Sequence, residues 1–325
     1  MSSPPGPSHP LPSVQEVGDH LLKLQANLEK VLLGKRAVVE RTRTALLADG
    51  HLLIEDVPGV GKTLLAKALA RSLGCSFHRI QFTPDLLPSD LIGTSVFHQP
   101  TSEFRFHPGP LFAQVILADE INRATPRTQS ALLEAMSEKQ ISLDGSTRPL
   151  GPLFLVLATQ NPFEFEGTYP LPESQLDRFL MRIQIGYPDR QAEKAILTQH
   201  RDGEPVEDLQ PVLTPAQVVS MQLKTRTVFV DEKLQDYLLS VVEATRNSSQ
   251  VHVGASTRAG LALYRAAQAH ALLHGRDFAT PDDIKQLAPS VLAHRLMMKS
   301  SRATPGKDAA VEFLREELTR IPVPR

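Results

Sequence analysis

Val57-Pro58-Gly59-Val60-Gly61-Lys62-Thr63 is the stretch on which the fold turns. The apolar run Leu52-Leu53-Ile54 precedes it, and Leu64-Leu65-Ala66-Lys67-Ala68-Leu69 follows with helical spacing. A strand, a glycine-containing loop and a helix opening on Lys-Thr are the parts of a phosphate-binding loop. Glycines let the backbone approach phosphate oxygens and aim its N–H groups at them. The expected nucleotide contacts run from Val57 to Leu64, with Lys62 as a point charge for the β- and γ-phosphates and Thr63 as a hydroxyl for Mg²⁺. The full spacing places glycine at position 56, where this chain has Asp56. Its carboxylate is expected to point away from the phosphates it would otherwise repel. Pro58 and Gly59 then supply the unusual backbone of the turn. A glycine-rich turn capping a helix is the alternative, and the order of the parts favours nucleotide binding.

Two later strands carry polar groups to the same place. Val115-Ile116-Leu117-Ala118-Asp119-Glu120 is an apolar run ending in two acids. In an open α/β sheet that end is the carboxyl edge, where the phosphate loop also sits. This is a Walker B pattern, with Asp119 expected on Mg²⁺ and Glu120 expected to polarise the attacking water. Leu153 to Thr159 reads as another buried strand and delivers Gln160-Asn161-Pro162 to that edge, so Asn161 is read as a γ-phosphate or water contact. Arg178 lies where a short helix, residues 172–179, meets a strand, residues 180–185. Facing its own site, it has Asp177 and nearby acids as natural partners; facing outward, it serves a neighbouring subunit. Arg258 falls in the first turn of a helix capped by Ser256, where the helix dipole disfavours a cation unless an anion compensates. It is a candidate phosphate contact, against the alternative of a surface arginine.

Between these signals the chain divides into a Pro- and Ser-rich leader (1–12), an αβα core (13–204) and a helical lid (205–325). Ser13-Val14-Gln15-Glu16 is a capping box, opening a helix with Val17, Leu21, Leu24, Leu28 and Val31 on one face. A second amphipathic helix is expected over 35–48, before a strand over 51–55. Residues 76–82 alternate as a strand, after which about 88–110 reads as an irregular insertion carrying Phe97, Phe104 and Phe106. That insertion is expected either to pack on the core or to touch a substrate. A helix opens at Thr125-Pro126, and Asp144-Gly145 marks a hairpin turn. From Pro188 on, helices alone are expected, with no strand-rich part.

Composition limits the function. The 325 residues suffice for two domains, and 41% hydrophobic with 22% charged residues is ordinary for a globular protein. A net charge of −1 argues against a large basic nucleic-acid surface, without excluding a local basic stripe. Cys75 stands alone, so an internal disulfide and a multi-cysteine metal site are excluded, and burial is its expected role. The eleven histidines are scattered, and no metal-ligand cluster is visible. No apolar stretch is long enough for a membrane span and the first residues lack a secretory pattern, so a cytoplasmic setting without membrane insertion is expected.

Taken together, the order of parts resembles an AAA+ ATPase, and within that superfamily the wording is similar to the MoxR family. The resemblance rests on Glu55-Asp56-Val57-Pro58-Gly59-Val60-Gly61-Lys62-Thr63, Leu117-Ala118-Asp119-Glu120-Ile121-Asn122-Arg123-Ala124, Ala158-Thr159-Gln160-Asn161-Pro162, Gln175-Leu176-Asp177-Arg178-Phe179 and Gly254-Ala255-Ser256-Thr257-Arg258-Ala259. It covers the chain from about Val14 to Leu296. It implies an α/β fold, a parallel-sheet core followed by a small all-α lid, with ATP and Mg²⁺ as cofactors. It also implies Asn161 as sensor one, Arg258 as sensor two, and Arg178 as an arginine finger acting on ATP of the adjacent protomer. Such a finger demands a homo-oligomeric ring, usually a hexamer. Relatives of this kind act as chaperone-like ATPases on client complexes, often beside a von Willebrand factor A domain protein. The residues after Phe82 match the family's insertion near the second core helix, and the hairpin at Asp144-Gly145 its hairpin before sensor one.

Three other functions share parts of this pattern. A chelatase motor subunit for tetrapyrrole metal insertion has the same insertion and von Willebrand partners. A DNA-dependent helicase-type motor shares the core, and the neutral charge balance and missing DNA-binding domain count against it. A nucleotide-gated scaffold without turnover is disfavoured by Glu120.

Overall fold

The computed structural model describes residues 11–143, 145–162, 167–199, 201, 203–299 and 308–324. The expected leader lies almost wholly outside these residues, as do Asp144 of the hairpin turn and Gly306, the expected start of the final helix. The chain opens with α1 (Val14–Glu29) and α2 (Arg36–Leu47). The expected capping box is present: Ser13 Oγ accepts the Glu16 N–H (3.2 Å) and Glu16 Oε2 accepts the Ser13 N–H (2.7 Å). The core continues through β1 (Leu52–Glu55), α3 (Lys62–Ser72), β2 (Phe77–Gln81), α4 (Pro88–Ile92), β3 (Gly93–His98), β4 (Glu103–Pro108), β5 (Val115–Asp119), α5 (Pro126–Glu138), β6 (Gln140–Leu143), β7 (Ser146–Pro149), β8 (Leu155–Gln160), α6 (Glu173–Leu176), β9 (Met181–Ile183) and α7 (Arg190–Gln199).

Five strands form one parallel sheet in the order β2-β5-β8-β1-β9. Alternation along each strand sends side chains to two apolar layers. Leu52, Ile54, Val115, Leu117, Leu155 and Leu157 join the layer of α1 to α3. Leu53, Ile116, Ala118, Val156 and Ala158 face the other way, onto α5 and Phe179. Both faces are covered, which is why these strands read as unbroken apolar runs.

The remaining helices are α8 (Pro215–Thr225), α9 (Glu232–Asn247), α10 (Thr257–Leu273), α11 (Pro281–Leu292) and α12 (Ala309–Arg320). They share the first apolar cluster with α1 and α2, so the hydrophobic core runs without a break from sheet to lid. Two expectations are corrected here. The lid is not purely helical, because β10 (Val251–Val253) and β11 (Met297–Met298) pair antiparallel within it. The insertion is not irregular: α4 leads into a β3–β4 hairpin whose base is closed by Gly93 and Gly109. A Cβ on Gly93 would lie 2.2 Å from the His107 oxygen, and one on Gly109 2.3 Å from that of Leu91. The base of the insertion is packed, with Leu91 and Leu111 buried in the second cluster. Its outer part is not: Phe97 and Phe104 stack on each other, centroids 5.3 Å apart, and are 48% and 73% exposed. Phe106 instead packs on Phe112 and lies under the Arg148 guanidinium of β7 (4.1 Å).

Cys75 is half-buried, and burial pushes its thiol up to about 11, which leaves it an unreactive packing residue. No helix among the described residues is long and apolar enough to cross a membrane.

His51 pins the amino end of β1. Its Nδ1 accepts the Val156 N–H (3.1 Å), which requires the proton on Nε2, and Nε2 then donates to the Met136 carbonyl (3.2 Å). Phe154 meets the ring edge-on. Burial lowers this imidazole to about 4. Below its ordinary value of about 6.5, the unfolded chain takes up a proton that the folded chain refuses. Acidification from pH 6.5 to 4 therefore removes about 3 kcal/mol of stability through His51 alone. Urea unfolding of the wild type and His51→Gln across that range checks this: the stability gap between them narrows as pH falls.

Candidate functional site

The phosphate loop leaves β1 at its carboxyl end and closes with Gly59 (φ 82°) and Gly61 (φ 98°) in left-handed conformations, the latter capping α3. Asp56 does point away. Its Oδ2 accepts the N–H groups of Ile185 and Gly186 (both 2.7 Å) and its Oδ1 that of Val57 (2.8 Å). Lys35 Nζ secures the same strand end by donating to the carbonyls of Ile185, Gly186 and Tyr187 (each 2.8 Å). Asp56 thus fastens the loop to the chain after β9, a task that glycine cannot perform. Lys62 Nζ donates to the Asp56 carbonyl (2.6 Å).

Pro58, Gly59, Lys62, Thr63, Leu64, Asp119, Glu120 and Asn161 line one cleft of about 540 Å³. That is room for a nucleotide. Val57 and Val60 shape the loop beneath it, Val60 with its side chain buried in the core. The donor set that Thr63 and Asp119 bring to the cleft is oxygen only, which suits a hard cation such as Mg²⁺.

Sequence reasoning missed four residues that hold the acids in place. Thr159 Oγ1 donates to Asp119 Oδ1 (2.6 Å) and accepts the Glu120 N–H (2.9 Å), locking β8 to the acidic strand end. Arg79 grips Asp119 Oδ2 through Nη2 (2.6 Å) and Nε (3.1 Å). Gln81 Nε2 (2.7 Å) and Arg123 Nη1 (3.1 Å) both donate to Glu120 Oε2. Arg79 and Gln81 are on β2, the strand paired with β5, so register alone sets them beside the acids. Glu120 itself adopts φ 57°, a left-handed conformation costly for a residue with a Cβ.

Arg178 and Arg258 are elsewhere. They line a second cavity together with His51, Lys139, Asp177, Arg265 and Arg295. Gly50 and His51 precede β1, and Leu180 precedes β9, so this cavity opens at the amino ends of strands whose carboxyl ends face the phosphate loop. Four residues of β1 put about 13 Å of strand between the two. The structure therefore brings Lys62, Thr63, Asp119, Glu120 and Asn161 together and sets Arg178 and Arg258 apart from them, as a pair.

The pair is held by a clamp between core and lid. Ser256 Oγ, the cap of α10, donates to Asp177 Oδ2 (2.8 Å), and Arg295 Nε lies 2.8 Å from Asp177 Oδ1. Arg295 also donates to the carbonyls of Phe179 (2.6 Å) and Val291 (2.7 Å). Burial pulls its guanidinium down to about 10, opposed by Asp177. Asp177 is thereby spent on Arg295 and Ser256, and Arg178 Nε makes no hydrogen bond among the described residues.

Comparison with known proteins identifies the fold. Residues 51–181 match the ATPase family associated with various cellular activities, and residues 243–316 match the AAA lid domain. Chaperone MoxR1 of Mycobacterium tuberculosis is 44% identical over 83% of this chain and 74% of its own. The chain belongs to the MoxR family of AAA+ ATPases. Protein MoxR of Paracoccus denitrificans is 30% identical over 92% of this chain and 95% of its own. YeaC of Bacillus subtilis reaches 47% identity over 93% and 94%. A crystal structure of a Cytophaga hutchinsonii protein superposes with a TM-score of 0.86 at 37% identity, covering 96% of this chain and 97% of that one. The MoxR fold thus spans both the parallel-sheet core and the lid.

Asp56 gives this site a direct test. Asp56→Gly strands three backbone N–H groups and lowers unfolding stability by about 3 kcal/mol, without tightening Mg-ATP binding. Urea unfolding and calorimetric titration check both parts; tighter binding in the variant would contradict the geometry.

Proposed function

We propose that this chain is a ring-forming ATPase that binds ATP with Mg²⁺ and hydrolyses it to ADP and phosphate, remodelling, maturing or activating protein complexes in the cytoplasm. A von Willebrand factor A domain protein and a client complex are the proposed partners. The chaperone name of the mycobacterial relative supports the remodelling role. In this reading, residues 13–204 form the nucleotide-binding core and 205–325 the lid.

One observation carries the proposal: the phosphate loop and the two arginines lie at opposite ends of the sheet. One protomer cannot bring both to one nucleotide, whereas a head-to-tail neighbour can. Heterologous contacts of that kind close into rings, here of six protomers by the family resemblance. Within the cleft, Lys62 and the loop N–H groups bind the phosphates. Thr63 and Asp119 would hold Mg²⁺, which supplies charge neutralisation on the phosphates. Glu120 takes the proton of the attacking water, released from Gln81 and Arg123, and Asn161 positions that water. Arg178 and Arg258 of the neighbour stabilise the charge developing on the transferred group. Arg258 is thus assigned to the neighbour's nucleotide.

ATPase rate per subunit measured against protein concentration tests this. The rate rises with concentration as rings form, and Arg178→Ala lowers it by roughly 10³- to 10⁵-fold. Glu120→Gln binds ATP and loses about 10²- to 10⁴-fold in turnover. A rate per subunit that is flat with concentration and indifferent to Arg178→Ala would sink the proposal.

A further inference from the structure

His270 lies in the last turn of α10 and His274 caps its carboxyl end four residues on, which places both rings on one side of the helix. That face packs on α2, and Glu40 of α2 meets both rings. Glu40 Oε1 lies 3.2 Å from His270 Nε2 and 3.6 Å from His274 Nε2. The histidines that look scattered in the sequence are, at this one point, a cluster with a carboxylate: all three ligand atoms lie within 4.8 Å of one another.

The hydrogen bonds behind the rings fix their tautomers. His270 Nδ1 is 2.6 Å from Asp283 Oδ1, and Asp283 is held as an anion by Arg276, whose Nη2 and Nη1 donate to its two oxygens (2.7 and 2.8 Å). His274 Nδ1 is 2.9 Å from the His270 carbonyl. A carboxylate and a carbonyl can only accept, so both Nδ1 atoms carry protons. Both Nε2 atoms therefore face the Glu40 carboxylate, each either carrying a proton toward it or, once deprotonated, offering a lone pair beside it. Protons satisfy these two contacts one at a time, whereas a single metal ion satisfies both at once.

The dimensions suit a metal. Bonds of about 2.0–2.1 Å in a tetrahedron set neighbouring ligand atoms about 3.3 Å apart, close to the two contacts seen. Two imidazoles and a carboxylate are the ligands of zinc-type ions, and a carboxylate behind the ring is the usual orienting partner of a ligating histidine. Asp283, only 1% exposed, fills that second role.

We infer that Glu40, His270 and His274 bind one divalent transition-metal ion of the zinc class, fastening lid helix α10 to core helix α2. Three protein ligands leave a fourth position for water. The ion acts as a staple that fixes this end of the lid helix against the core helix. This inference stands whether or not the chain works as a ring.

The test uses full-length protein without a histidine tag, titrated with Zn²⁺ in excess Mg²⁺, which occupies oxygen-only sites and leaves imidazoles free. One Zn²⁺ binds per chain at micromolar or tighter affinity, and thermal unfolding moves upward with it. His274→Ala and Glu40→Gln, both at partly exposed positions where the fold tolerates change, each weaken binding at least about tenfold and abolish the thermal shift. Co²⁺ in place of Zn²⁺ gives the intense visible absorption of a four-coordinate site in the wild type only. Absence of saturable Zn²⁺ binding, or equal binding by the wild type and both variants, would overturn the site and leave the cluster as a hydrogen-bonded helix contact.

Discussion

The direction of a parallel sheet governs this molecule. All five strands of the central sheet point the same way, so the phosphate loop and the acids sit at its carboxyl edge, while the arginine cavity opens at the amino ends of β1 and β9. Strands of three to six residues are rigid spacers, and no side chain spans them. The phosphate-loop cleft and the Arg178–Arg258 pair therefore lie at opposite ends of the sheet, and under the proposed function they are two half-sites. That separation is structural, fixed before any partner arrives.

Each half-site is braced by contacts remote from its chemistry. Asp56 ties the phosphate loop to the end of β9, while Thr159 and Arg79 hold both oxygens of Asp119. On the other side, Asp177 joins Arg295 of the lid to the turn between α6 and β9 that carries Arg178, and Ser256 carries the same clamp into the first turn of α10. Breaking one partner of such a buried pair costs about 3–5 kcal/mol, since it leaves a charge stranded. Core and lid consequently present Arg178 and Arg258 as one surface, while the unbroken apolar cluster behind them keeps the lid from drifting.

Much of this was legible in the sequence because the signals are local. The phosphate loop, the acidic end of β5, the caps at Ser13 and Ser256, and the apolar periodicity of α1 each fit within a few residues. What escaped depends on pairs far apart in the chain. Asp56 finds its partners 129 and 130 residues away, and Glu40 meets His270 across 230. The β3–β4 hairpin escaped for another reason: its outer aromatics face away from the core, so burial imposes no clean alternation on the segment. Strands of three and two residues, β10 and β11, are too short to carry a period at all. The cavity shared by Arg178 and Arg258 could not be read locally, because which end of a strand an arginine occupies has meaning only once the sheet is assembled.

Mixing two inactive variants tests the division into half-sites most directly. Lys62→Ala lacks a working phosphate loop and keeps its arginines; Arg178→Ala keeps the loop and lacks the finger. If each nucleotide is served by two protomers, the variants are idle alone and recover ATPase activity when unfolded rings are reassembled from the mixture. No recovery, in mixed assemblies shown to contain both chains, would contradict the account and place the arginines outside the reaction.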